Sequence, residues 1–238
     1  MKTFVAGATG YTGREVVREL AQRGADVVAH VRPDSARLAE WRQRFESAGA
    51  EVDDSLWELD ALEAAFARYN PTHIFALLGT TRARAREAAR EGRDESYSSV
   101  DYELTSILIN AARTCAPAAH FIYLSSLGVD SSARSSYLDV RRRLEAELKE
   151  SGLHYVIARP AFISGADREE FRFGERAAAS ITKVLLSIAD AVGIKALSKR
   201  FKTMSGRQLA CALVNAAFDE HYVDRTLDVA GLHALAKP

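Results

Sequence analysis

Residues 7–13 read Gly-Ala-Thr-Gly-Tyr-Thr-Gly and follow directly on the apolar run Thr3-Phe4-Val5-Ala6, so a short buried strand enters a glycine-rich turn. Beyond the turn, Arg14 to Ala21 carries its apolar residues at helical spacing, and Ala25 to Val31 reads as a second strand. Strand, glycine turn and helix in that order leave few folds open, because the turn sets the helix N-terminus at the carboxyl end of the strand. The unpaired N–H groups and positive dipole end of such a helix hold a phosphate, provided the backbone comes close. Glycine permits the approach. Gly7 allows the tight turn, Gly10 leaves space where phosphate sits, and Gly13 lets the helix pack on the sheet. The motif predicts a dinucleotide site, with Gly7, Thr9, Gly10, Tyr11, Thr12 and Gly13 against the pyrophosphate.

The rest of the chain repeats the alternation. Strand-like runs at Thr3–Ala6, Val27–Val31, within 50–57, at His73–Leu78, His120–Leu124, His154–Arg159 and near Thr226–Val229 are separated by amphipathic helical stretches. That is the pattern of an α/β fold with a doubly wound parallel sheet, Rossmann-like, covered by helices on both faces. At 238 residues and 47% hydrophobic content the chain builds one core, so residues 1–238 are read as a single domain. From Ile163 the rhythm changes, through a charged stretch at 167–173 to a helical one at 181–197, and residues 163–205 are expected to form a small C-terminal segment covering the substrate. Phe171, Phe173 and the apolar face of Ile181 to Leu186 are its candidate wall. The arginine-rich segment from Thr80 to Ser99 is expected to be a loop plus an exposed helix, with Glu87 and Glu91 as partners of its cations.

A formal net charge of zero gives no general attraction to nucleic acid or to an anionic membrane, so neither is expected as a partner. The longest apolar stretch is broken by Lys183, Asp190, Gly193 and Lys195, and the opening residues read as a strand rather than a signal peptide, which predicts a cytoplasmic protein. Cys115 and Cys211 lack metal-ligand spacing and read as buried reduced thiols, so no metal is expected. The expected assembly is a monomer or homodimer acting on a small-molecule substrate.

In this fold the end of the second strand meets the adenosine ribose, where an acidic residue favours NAD and a cation favours a 2′-phosphate. Here that position is Arg32, with Arg14 and Arg37 close enough in sequence to assist, so the expected cofactor is NADP (NADPH). At the end of the third strand, Asp53-Asp54 and Glu58 are alternative acidic residues for the adenine pocket.

Leu77-Leu-Gly79-Thr80-Thr-Arg82 and Tyr123-Leu-Ser125-Ser126-Leu-Gly128 both follow strand carboxyl ends, where ligands of α/β sheets gather. Tyr137 and Arg141 lie four residues apart on a helix and so share a face. A serine hydroxyl can hold a carbonyl while a tyrosine supplies its proton, if a nearby cation stabilises phenolate; hydride comes from the nicotinamide. Strand alternation sends Ser125 and Ser126 to opposite sides, and Ser125 is taken as the one facing substrate. Ser125, Tyr137 and Arg141 are the candidate catalytic residues; the alternative for Arg141 is a solvated run with Arg142 and Arg143.

The glycine motif together with Leu78-Gly-Thr-Thr-Arg82, Val100-Asp101, Leu124-Ser-Ser126, Tyr137-Leu-Asp-Val-Arg141 and Ala158-Arg-Pro-Ala161 resembles the short-chain dehydrogenase/reductase superfamily, in its atypical branch related to the Tat-interacting oxidoreductase and more distantly to NmrA-like proteins. The resemblance spans most of the chain. It implies NADP(H) bound by Gly7, Gly10, Gly13 and Arg32, with Gly79 and Thr80 along the cofactor, Ser125 and Tyr137 at the reaction centre, and Pro160 to Phe162 near the nicotinamide. One position departs from the family: where its YxxxK element has lysine, this chain has Arg141, which keeps the charge but is not deprotonated in proteins and is a poor proton relay. A carbonyl or alcohol oxidoreductase is therefore the first expectation, and a non-catalytic NADPH-binding regulatory or scaffold protein the second.

Overall fold

The computed structural model describes residues 1–79, 92, 96–132, 135–161, 163–164 and 203–237. Seven strands form one sheet in the order β3-β2-β1-β4-β5-β6-β9, and every pairing within it is parallel. They are β1 Lys2–Ala6, β2 Asp26–His30, β3 Glu51–Asp53, β4 His73–Ala76, β5 His120–Leu124, β6 His154–Ala158 and β9 Arg225–Leu227. A short parallel pair, β7 Ile163–Ser164 and β8 Met204–Ser205, stands apart. The helices are α1 Tyr11–Gln22, α2 Leu38–Ser47, α3 Leu59–Tyr69, α4 Leu104–Cys115, α5 Ser136–Glu150, α6 Gly206–Phe218 and α7 Val229–Leu235, with a π-helical turn at Tyr97–Glu103 leading into α4.

Strands buried on both faces need apolar residues at successive positions, and side chains that alternate across the sheet build two cores. Val5, Ala29, Phe75, Ile122 and Val156 face α1, α2 and α6, where Val16, Leu20, Trp41 and Leu213 meet them. Phe4, Val28, Ile74, Phe121 and Ile157 face the other way, onto Leu62 and Phe66 of α3, Leu108 of α4 and Leu144 of α5. The strand order reverses at β1, which pairs with β2 on one side and β4 on the other, so a crevice opens beyond the carboxyl ends of β1 and β4.

The expected strands lie where the alternation places them, with shifts that have local causes. The last one ends at Leu227 because the Asp228 side chain accepts the Gly231 N–H at 2.9 Å and caps α7 at Val229. Residues 97–99, at the end of the segment expected to be a loop plus an exposed helix, lie in the π turn. Most of the expected arginine segment and nearly all of residues 163–205, including Phe171, Phe173 and Ile181 to Leu186, lie outside the described residues, as do Thr80 and Phe162. Among the described residues no helix is long and apolar enough to cross a membrane, and no group of three or more His, Cys, Asp or Glu side chains is arranged to hold a metal ion. Cys115 and Cys211 are free thiols, half-buried and buried.

Candidate nucleotide and reaction site

The three glycines of the first turn are required for different reasons. Gly7 has φ +81°, and a Cβ there would lie 2.7 Å from the Leu77 carbonyl oxygen. A Cβ on Gly13 would come within 2.1 Å of the Gly7 carbonyl oxygen, so α1 packs on the turn only without a side chain. Gly10 is different: it is exposed, and a Cβ there would approach only Gly7 O, at 3.2 Å. Its N–H donates to Gly7 O at 3.0 Å, which sets it as the N-cap of α1, yet no side chain caps this helix and its first turn holds no acid. The first-turn N–H groups are thus presented to the crevice beside an open glycine, the arrangement that suits an oxygen-rich anion. Thr9 is half-buried and Thr12 buried in this loop. The Tyr11 ring lies against Gly206 at the start of α6, and its hydroxyl oxygen accepts the Gly206 N–H at 3.4 Å, so its side chain seats α6 against α1.

Beyond β2, Arg32 is half-buried with its Nε 3.6 Å from Asp34. Trp41 of α2 gathers three other cations: the guanidinium carbons of Arg37, Arg44 and Arg14 lie 4.8, 5.5 and 5.9 Å from its ring. Arg37 also grips Glu40 through two bonds of 2.8 and 2.6 Å, and that hydrogen bond lowers the Glu40 pKa below its ordinary value. The three acidic residues at and after the end of strand three differ in burial. Asp53 is buried and accepts the Ser55 N–H and hydroxyl at 3.1 and 3.0 Å, whereas Asp54 is exposed and pairs with Arg42 at 2.9 Å, and Glu58 is exposed. His30 beside them is buried with Nε2 2.9 Å from Ser55 O; burial pushes its pKa down, against the pull of Ser55 and Asp53.

At the carboxyl ends of β4 and β5 the reacting residues converge in part. The Tyr137 ring sits in the first turn of α5, whose N-cap Ser135 accepts the Leu138 N–H, and it packs against Tyr97 of the π turn at 5.1 Å and over the Arg141 guanidinium at 5.2 Å. Arg141 is 4% exposed, which excludes a solvated run with Arg142 and Arg143. Its Nη1 donates to Leu124 O at 2.6 Å and to the Tyr123 hydroxyl at 3.1 Å, and its Nη2 donates to Leu78 O at 3.4 Å and to the buried Asp101 carboxylate. Burial opposes its charge, but the Tyr123 and Tyr137 oxygens and Asp101 outweigh it and hold the guanidinium protonated. Burial likewise raises the Tyr123 pKa.

Ser125 does not present a free hydroxyl to the crevice. It is 4% exposed and donates its one proton to Glu145 at 2.6 Å, and Glu145 is gripped by Arg159 through bonds of 2.9 and 2.6 Å. A serine that holds a substrate carbonyl must donate to it, so the expected role needs that bond to break. Ser126, on the opposite side of the chain, is half-buried with its hydroxyl 3.3 Å from Leu127 O. Gly79 is exposed and passes directly over the Arg141–Asp101 pair, and Pro160 is buried with its carbonyl accepting the Leu127 N–H at 2.9 Å. Sequence reasoning missed the partners Asp101, Glu145 and Arg159 and the hub Trp41. One signal for Glu145 was present, because Tyr137, Arg141 and Glu145 recur every four residues along one face of α5.

A family model described as NAD(P)H-binding matches residues 7–190, which spans the glycine turn, Tyr137 and Arg141. The chain belongs to that NAD(P)H-binding family. It is 34% identical over 174 residues to the chloroplastic divinyl chlorophyllide a 8-vinyl-reductase of Oryza sativa subsp. indica, a match covering 66% of this chain and only 38% of that protein. It is 30% identical over 174 residues to Protein HTATIP2 of Rattus norvegicus, covering 72% of this chain and 66% of the relative. Among solved structures it shares the fold of the Citrobacter sp. triphenylmethane reductase complexed with NADP(H), with a TM-score of 0.62 at 17% identity over 96% of this chain and 69% of that one. These likenesses agree with the atypical short-chain dehydrogenase pattern of its motifs.

Proposed function

We propose that this protein is an NADP(H)-dependent oxidoreductase that acts on a carbonyl or alcohol group of a small molecule. The observation that carries the reading is the uncapped N-terminus of α1 behind an open Gly10, with Arg14, Arg32 and Arg37 around the neighbouring end of β2 and no acidic residue at the Arg32 position. The N–H groups of α1 would hold the pyrophosphate, and Arg32 with its neighbours would take the 2′-phosphate by directed, charge-assisted bonds. Bound there, NADPH would supply the hydride for reduction of a carbonyl to an alcohol. Tyr137, in the first turn of α5, would give its hydroxyl proton to the substrate's carbonyl oxygen. The reductases among its relatives and neighbours support this reaction class.

Titration of the purified protein with NADPH and with NADH, followed by cofactor fluorescence, tests the reading. One charge-assisted contact to the 2′-phosphate corresponds to a preference for NADPH of about ten- to a hundredfold. Arg32→Glu is expected to erase that preference by weakening NADPH far more than NADH; equal affinities in the wild type contradict the assignment. A second reading, a non-catalytic NADPH-binding regulator, is favoured by one observation: the protons of Ser125 and the Nη groups of Arg141 are committed inside the protein. Cofactor binding without oxidation of NADPH by any aldehyde, ketone or quinone would select it.

A further inference from the structure

The last pair in the β4–β5 ladder is Ala76 with Tyr123. Beyond it no further β4–β5 pair forms, and leaving the buried Leu78 carbonyl or the half-buried Leu124 carbonyl without a donor would be costly. The Arg141 fork reaches across this split. One Nη takes Leu124 O and the Tyr123 hydroxyl from the β5 side, and the other takes Leu78 O and the Asp101 carboxylate from the β4 side and the π turn. A lysine has three protons on a single nitrogen and cannot serve four acceptors spread across a plane. Asp101 is fully buried, and Gly79 lies over the pair so closely that a Cβ there would be 3.1 Å from Nη2 and 3.5 Å from the Asp101 oxygen. The exposed Gly79 thus lies against a guanidinium that is itself buried, while the centre of the Tyr137 ring lies 5.2 Å from the guanidinium carbon.

We infer that Arg141, anchored by Asp101, is a positioning residue that fixes the Tyr137 ring and the parted ends of β4 and β5, and does not hold the cofactor. The inference rests on the oxidoreductase reading of this site and departs from the part that a lysine plays at this position. Because a guanidinium is not deprotonated in proteins, a proton returned to Tyr137 after each turnover comes from water and does not pass through residue 141.

The test uses the full-length protein, NADPH as the binding probe, and turnover on a panel of aldehydes, ketones and quinones, for Arg141→Lys and the near-isosteric Asp101→Asn, each made in the wild-type and Tyr137→Phe backgrounds. Each variant is expected to lower kcat about tenfold or more while the NADPH Kd stays within about threefold of wild type, and the loss is expected to vanish where Tyr137 is already phenylalanine. A general structural defect would lower kcat equally in both backgrounds and overturn the inference. Arg141→Lys that keeps or raises kcat, or that changes the NADPH Kd by about tenfold, would show a cofactor contact and overturn it as well. A wild type that binds NADPH without turnover selects the non-catalytic reading instead, and the inference, which concerns turnover, is overturned with it. A wild type that binds no NADPH refutes the oxidoreductase reading itself, and the inference falls with it.

Discussion

Gly10 and Gly13 sit three residues apart in the same turn, and the structure assigns them opposite consequences on substitution. In Gly13→Ala the new methyl would lie 2.1 Å from Gly7 O, 2.8 Å from Gly7 C and 2.9 Å from the Ala8 Cα, all backbone atoms that no rotamer change relieves. Overpacking of that kind costs about 3 kcal/mol or more, of which alanine's better helix propensity returns about 1 kcal/mol. The net loss of about 2 kcal/mol or more lowers Tm by roughly 4–8 °C in a chain of this size. In Gly10→Val the φ of −69° and ψ of 166° suit any residue, and the one contact is Gly7 O at 3.2 Å. Loss of a good N-cap costs about 0.5 kcal/mol, so Tm moves by only about 1–2 °C. Cofactor tells the two apart. At a hundred times its Kd, NADPH stabilises the wild type by about 2.7 kcal/mol and raises Tm by roughly 5–10 °C, whereas Gly10→Val fills the phosphate position and is expected to show no shift. Differential scanning fluorimetry with and without NADPH reads all three proteins. A folded Gly10→Val with a full NADPH shift, or Gly13→Ala with an unchanged Tm, would falsify the assignment of the turn.

Two further substitutions probe the protein away from the turn. Burial and the adjacent His120 push the His73 pKa down to about 4, so on acidification the unfolded chain takes up a proton first and stability is lost as pH falls from about 6.5 towards 4. Discounted for partial exposure of the ring this amounts to about 1–2 kcal/mol, and His73→Gln, which can still donate to Ala217 O, should show a shallower fall of Tm over that range; parallel curves would contradict it. Glu145→Gln strips the buried carboxylate from Arg159, whose other carboxylate among the described residues is Asp130 at 3.5 Å, and is expected to cost about 2–3 kcal/mol, or roughly 4–12 °C in Tm; a change under about 2 °C would show the pair to be unimportant for the fold.

The sheet was legible because its strands are buried on both faces and therefore read as unbroken apolar runs between turn residues, as with His73 to Ala76 and His120 to Leu124. The phosphate turn was legible because glycine is demanded by backbone contacts that are local in sequence. The reacting end was less so, since its geometry depends on partners far along the chain. Alternation sends Ser125 and Ser126 to opposite sides, but it does not show that the Ser125 hydroxyl is engaged by Glu145, twenty residues on, which is itself held by Arg159 just beyond β6. Arg141 admitted a cofactor-facing or a solvent-facing reading; its burial excludes the solvated run, and its buried partner Asp101 arrives from the π turn. A residue pair 40 apart, joined only by tertiary packing, leaves no periodic trace.

A structure of the NADPH complex would show whether one crevice carries NADP(H) from the Gly10 turn to Tyr137. The expected electron density has the pyrophosphate within hydrogen-bond reach of the first-turn N–H groups of α1, the 2′-phosphate against Arg32, and C4 of the nicotinamide facing the Tyr137 hydroxyl with the Gly79 peptide lying between the ribose and Arg141. Density with the 2′-phosphate away from Arg32, or with the nicotinamide remote from Tyr137, would contradict the account.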